Sequence, residues 1–138
     1  MPADKVFLDS NLLVYLYSHT EQKKADIVMD ILNEYNCVVS TQVLNEFSNV
    51  CIRKLNIAPF DIKRAINEII SACRLLYINE QNIFTAIRIH HEYKYSYYDS
   101  LIIASALESG CNYLFSEDMA NGQVIDSSVT IKNIFTTK

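Results

Sequence analysis

Short β-branched runs recur along this chain, and the stretches between them carry apolar residues at helical spacing. Lys5-Val-Phe-Leu-Asp9 reads as a buried strand, Cys37-Val-Val-Ser40 as a second and Leu75-Leu-Tyr-Ile78 as a third. Asn112-Tyr-Leu-Phe-Ser116 is a fourth, and Val124-Ile125 or Val129-Thr-Ile131 supplies a weak fifth. A helix opens through Leu12, Leu13 and Leu16. Glu21 to Tyr35 follows, with Ala25, Val28, Met29 and Leu32 on one stripe. Thr41 to Leu55 lines up Val43, Leu44, Phe47, Val50 and Cys51, and Pro59 sits where the helix of Phe60 to Cys73 can begin. Glu80 to Tyr93 and Tyr98 to Ser109 are helices too, the latter stopped by Gly110. Strands alternating with helices predict an α/β fold whose mainly parallel sheet of four to five strands is covered on both faces. A length of 138 residues fits a single domain over 1–138.

That architecture directs attention to one edge. In open parallel sheets, ligands bind beyond the carboxyl ends of the strands, where the helices also start. Asp9 ends the first strand and points out there, although any of Asp9, Ser10 and Asn11 could cap the following helix. Asp118 follows the fourth strand to the same edge, with Glu117 beside it as an equal candidate and a solvated loop acid as the alternative. Asp99 tops a stripe continued by Ile102, Ile103 and Ala106, so a carboxylate heads a face that enters the core. Ser96-x-x-Asp99 as a capping-box variant would account for part of that placement. Glu46 lies six residues past Ser40, at the border of a buried stripe, where a Glu is ordinarily structural; its nearness to the same edge raises it.

Four acids converging from distant parts of the chain repel one another, which raises their pKa values or recruits cations. Oxygen donors without neighbouring His or Cys suit Mg²⁺ or Mn²⁺ rather than zinc. Such an ion fits activation of water for attack on a phosphodiester. The sequence holds no Gly-rich phosphate loop, no Ser-His-Asp or Cys-His arrangement and no H-E-x-x-H. Net charge is the counterweight: −4, from 16 acidic and 12 basic residues, where nucleic-acid binders are usually basic. Lys23/Lys24, Arg53/Lys54, Lys63/Arg64 and Arg88 to Lys94 are candidate basic clusters, each equally readable as a solvated helix face. The four Cys (37, 51, 73, 111) lie in apolar stretches without a C-x-x-C pair and read as buried reduced thiols of a cytoplasmic protein. No window reaches the roughly 18 apolar residues of a membrane span, and Met1 to Asp9 is no signal peptide.

Leu8-Asp-Ser-Asn11 resembles the opening motif of PIN domains. So do Gln42-Val-Leu-Asn-Glu-Phe47, Tyr98-Asp-Ser-Leu-Ile-Ile-Ala-Ser-Ala106 and Leu114-Phe-Ser-Glu-Asp118, in order, from Lys5 to about Ile134. A single-domain chain of this length is similar to the VapC-type toxins of toxin–antitoxin pairs. The resemblance implies a three-layer α/β/α sandwich and Mg²⁺- or Mn²⁺-dependent endoribonuclease activity on RNA. It also implies frequent homodimers and an antitoxin whose tail covers the acidic pocket. Carried over, Asp9, Glu46, Asp99 and Asp118 match the acidic quartet that is both catalytic and metal-binding, and Asn11 and Ser116 its supporting polar positions. Ser10 and Ser116 stand where Thr is frequent. The last acid is the most variable position of the family, which keeps Glu117 open.

Three rivals bear on this expectation. A dehalogenase-like phosphoryl-transfer fold also puts Asp at a strand end, but wants a second Asp where Asn11 stands; a receiver wants adjacent early acids and a late Lys, both absent. A degenerate PIN-like module that only binds RNA or protein is the non-enzymatic rival. Finally, the aromatic and basic run His90 to Tyr98 precedes Asp99. Tyr95 and Tyr98 could stack RNA bases, whereas Tyr93 and Tyr97 pack in the core or at a dimer seam.

Overall fold

The computed structural model describes residues 3–136. Five strands run parallel: β1 (Lys5–Leu8), β2 (Asn36–Ser40), β3 (Arg74–Leu76), β4 (Tyr113–Phe115) and β6 (Val129–Lys132). The edge strand β5 (Val124–Ile125) pairs antiparallel with β6, giving the order β3-β2-β1-β4-β6-β5. The sheet therefore has six strands where the sequence supports four or five, because both candidates for the fifth are strands. They form a hairpin whose turn places Asp126 and Ser127 at φ 52° and 53°, without the Gly that usually marks such a turn. β3 begins at Arg74 and stops short of Ile78, its exposed arginine being tolerated where only one neighbour strand pairs with it.

β1 and β4 bury nearly every side chain because they lie inside the sheet. Val6, Phe7, Leu8, Leu114 and Phe115 are all almost wholly enclosed. The helices are α1 (Ser10–Tyr15), α2 (Gln22–Glu34), α3 (Thr41–Arg53), α4 (Pro59–Ala72), α5 (Glu80–Tyr93) and α6 (Tyr97–Glu108). The chain steps outward from β1 to β2 to β3 through α1–α4, then returns across β1 to β4 through α5 and α6. With right-handed crossovers, that reversal sends the two helix groups to opposite faces. Accordingly α1 to α4 pack among themselves while α5 pairs with α6. α6 is buried continuously from Ser100 to Ala106, as a helix wedged between sheet and neighbour must be. The four cysteines are free and buried.

Strand order reverses between β1 and β4, and a cleft opens at such a point above the carboxyl ends. The α5–α6 pair brings the Asp99 helix to it and is pinned by a buried asparagine. Asn82 accepts a hydrogen bond from the Asn79 amide at 2.9 Å and donates from its side-chain amide to Glu108 on α6. Replacing Asn82 by Ala removes both bonds and the reciprocal cap of α5. It should lower unfolding free energy by about 1–3 kcal/mol, read from the urea midpoint at constant m-value.

Candidate metal and nucleic-acid cleavage site

Asp9 is the residue after β1, and its amide donates to the Phe115 carbonyl at 3.1 Å, extending the β1–β4 ladder by one step. That bond holds the side chain at the switch point, 6 % exposed. One carboxylate oxygen accepts from the Ser10 amide at 2.7 Å and the other from the Ser116 hydroxyl at 2.8 Å. Asp9 is thus the helix cap and a member of the acidic group at once. Burial pushes its pKa up to about 6, against the two hydrogen bonds, and the charges of Glu46 and Asp99 push the same way.

Glu46 sits on α3, whose start is fixed by Ser40 accepting from the Val43 amide at 3.3 Å. The Ser10 hydroxyl donates to one Glu46 oxygen at 3.1 Å, and Gln42, one turn back, donates to the other at 3.1 Å. The same Gln42 amide reaches the Tyr98 carbonyl at 3.0 Å, tying α3 to α6. Asp99 lies in the first turn of α6, and Ser96 caps that helix by accepting from the Asp99 amide at 3.2 Å. The cap occupies the backbone of Asp99. Its half-buried carboxyl is raised above the usual range, first by desolvation, with the Ser96 hydroxyl opposing and the Asp118 charge adding to the rise.

Asp118 is exposed and accepts from the Asn11 side-chain amide at 2.8 Å, while the Ser116 hydroxyl receives the Asp118 amide at 3.2 Å. Its neighbour Glu117 turns elsewhere. Glu117 forms an ion pair with Lys24 at 2.6 Å and accepts from the Tyr15 hydroxyl. Ser116 therefore touches Asp9 through its hydroxyl and Asp118 through its amide contact, and Asn11 holds Asp118 directly.

The structure brings Glu46 and Asp99 near enough to raise the pKa of Asp9, and Asp118 near enough to raise that of Asp99. Among the described residues, no three His, Cys, Asp or Glu side chains are drawn together tightly enough to hold an ion as they stand. The donor set is nonetheless all oxygen, and the buried Asn11 Oδ1 beside it has no hydrogen-bond partner. A hard divalent cation fits such a set. The sequence reading passed over Gln42 and the hydroxyl of Ser10 as positioning groups. The spacing of Gln42 to Glu46, one helical turn, is the signal that could have found the first.

An apolar groove lies elsewhere, between α1, α2 and α4. It encloses about 420 Å³ and is lined by Leu13, Leu16, Ala25, Met29, Leu32 and Ile69 among others. None of the four acids borders it. No described helix is long and apolar enough to cross a membrane.

The profile of the PIN domain family matches residues 6–120. No curated protein matches. VapBC from Salmonella typhimurium, solved bound to DNA, superposes with a TM-score of 0.68 at 17% identity, covering 96% of this chain and 98% of that one. VapBC2 from Rickettsia felis, bound to a promoter fragment, gives 0.68 at 14% identity, over 94% and 99%. VapC20 from Mycobacterium tuberculosis, described as a toxin that cleaves the sarcin–ricin loop, gives 0.65 at 16%, over 82% and 91%. At these identities the likeness shows a shared fold. The family rests on the profile, which takes in β1 through the loop of Asp118 and so includes every acid described above: this chain belongs to the PIN-domain family.

Proposed function

We propose that this protein is a Mg²⁺- or Mn²⁺-dependent endoribonuclease and the toxin of a toxin–antitoxin pair. It would act in the cytoplasm as a single folded domain, assembled as a homodimer and restrained by an antitoxin. The observation that carries the reading is Asp9, a carboxyl buried at the switch point under repulsion from Glu46 and Asp99. Such a site gains free energy from a cation.

Asp9, Glu46 and Asp99 would hold the ion, with Asp118 completing the set. A bound Mg²⁺ or Mn²⁺ supplies positive charge that polarises a phosphodiester and acidifies water. The chain itself supplies orientation. Ser116 and the Ser10 amide fix both oxygens of Asp9, and Ser10 with Gln42 fixes both of Glu46. Asp118 is the acid open to solvent, and Asn11 aims it. Glu117 is spent on Lys24, so Asp118 is our fourth acid. The looseness of the four acids as they stand also suits a module that binds without cutting, and the ion titration below separates the two.

RNA incubated with Mg²⁺ or Mn²⁺ should be cut internally, and both EDTA and Asp9→Asn should reduce cleavage at least a hundredfold. Cleavage surviving both controls overturns the mechanism. On the same assay Asp118→Asn should lose tenfold or more, while Glu117→Gln stays within about threefold of wild type and melts lower, because it loses an ion pair rather than a site acid.

The pH dependence has a definite sign. A carboxyl near 6 in the folded chain and 3.8 in the unfolded one contributes stability that is fully present below pH 3.8 and lost as pH rises through 6. The loss amounts to roughly 3 kcal/mol. In EDTA, the melting temperature of Asp9→Asn should therefore overtake that of wild type between pH 4 and 7, by several degrees at the upper end. Mg²⁺ or Mn²⁺ should raise the melting temperature of wild type and not of Asp9→Asn. A gap independent of pH, or an ion effect equal in both, would sink the assignment of Asp9.

A further inference from the structure

Resting on the ribonuclease reading, we propose that Tyr98 is the platform on which an unpaired RNA base stacks beside the acidic site, and so a residue that selects single-stranded substrate. The argument begins with charge. The chain carries −4 overall, and three of its twelve Lys and Arg side chains are held in ion pairs. Lys24 pairs with Glu117 at 2.6 Å, Arg64 with Asp61 at 3.5 Å, and Arg88 with Glu92 at 3.2 Å and Asp126 at 2.6 Å. An acidic chain gains less from phosphate neutralisation, the usual source of RNA affinity, so stacking carries more of the binding.

The aromatic run ahead of Asp99 divides cleanly. The Tyr93 hydroxyl donates to Asp126 at 3.1 Å, and its ring packs on the core. Tyr95 packs there as well, its hydroxyl donating to Gln123 and receiving the Ala120 amide at 3.2 Å, which fastens the segment following Asp118. Tyr97 packs on Ala86, Leu101 and Ala104. Tyr98 is different: 67 % exposed, in a helix otherwise buried from Ser100 to Ala106. Its hydroxyl makes no hydrogen bond among the described residues, so polar anchoring does not account for its place.

Its backbone, by contrast, is fixed. The Tyr98 carbonyl accepts from the Gln42 amide that also holds Glu46, and Asp99 is the next residue. The ring stands edge-on to Tyr97 with centroids 5.5 Å apart and planes at 72°, and Tyr97 is anchored in the second core cluster. A two-thirds-exposed ring thus rises from a backbone that Gln42 ties to Glu46 and that continues directly into Asp99. Bases stack on such a ring without regard to identity, since every base has a π face, and only an unpaired base can reach it.

The test uses full-length Asp9→Asn, which should bind without cutting, and a fluorescein-labelled mixed-sequence single-stranded RNA in Mg²⁺. Adding Tyr98→Ala should weaken affinity at least tenfold, and Tyr98→Phe should stay within about twofold of the parent. Tyr77→Ala removes an equally exposed ring (70 %) from the segment just after the edge strand β3 and should change nothing. A 2-aminopurine in the RNA should be quenched by the parent and by Tyr98→Phe, and not by Tyr98→Ala. Unchanged affinity and quenching in Tyr98→Ala would overturn the platform and leave the nuclease reading intact. Failure of the parent to bind any RNA would overturn both. Circular dichroism of each variant shows whether a loss of affinity is a loss of fold, and loss in Tyr98→Ala with native spectrum and melting temperature is the supporting result.

Discussion

The amide of Asp9 bonded to the carbonyl of Phe115 is the contact on which the rest of the site depends. It is the last rung of the β1–β4 ladder, and it falls where the chain stops being strand and starts being helix. Because β1 lies between β2 and β4, all parallel, the segments leaving the three strands emerge on one side of the sheet. α1 begins there with Asp9 as its cap, α3 carries Glu46 away from β2, and the loop after β4 carries Asp118. α6 starts at that side too, since it must end where β4 begins. The convergence of the acids is a product of parallel pairing, and one strand reversed would scatter them.

Polar side chains then convert nearness into arrangement. Ser116 links Asp9 to Asp118, Ser10 links the α1 cap to Glu46, and Gln42 links Glu46 to the first turn of α6. Each of these groups is wholly or partly buried, where a hydrogen bond is stronger and its loss more damaging than in water. The network reaches all four acids or their immediate neighbours. A substitution at Gln42 would therefore be felt at two helices together.

Much of this was readable in the residues. β1, β2 and β4 announce themselves as apolar runs, and Asp9 and Asp99 stand out because each is charged at the head of a buried pattern. The hairpin of β5 and β6 was hidden: its turn uses Asp126 and Ser127 in the left-handed region, held from outside by Arg88 and Tyr93. β3 was displaced because an edge strand can begin with an exposed arginine, which breaks the apolar pattern. Which way Glu117 and Asp118 turn could not be read from local sequence, because Lys24 and Tyr15 hold the one and Asn11 the other. Those contacts span 93 to 107 residues, and no spacing rule reaches that far.

A fold that buries Asp9 while raising its pKa works against its own stability at neutral pH. The desolvation of one carboxyl is only partly offset by Ser116 and Ser10, and the charges of Glu46 and Asp99 oppose it further. Such an arrangement persists because the sheet on either side over-determines it: β1 and β4 are enclosed whatever Asp9 does. The strain is then available to be relieved by whatever brings positive charge to the carboxyl edge. Anything that does so binds the folded chain in preference to the unfolded one, and stability and occupancy of the site become a single linked quantity. The acids also explain the balance of charge. Lys24, Arg64 and Arg88 are held in ion pairs, and part of the excess negative charge lies at the cleft in Asp9, Glu46, Asp99 and Asp118.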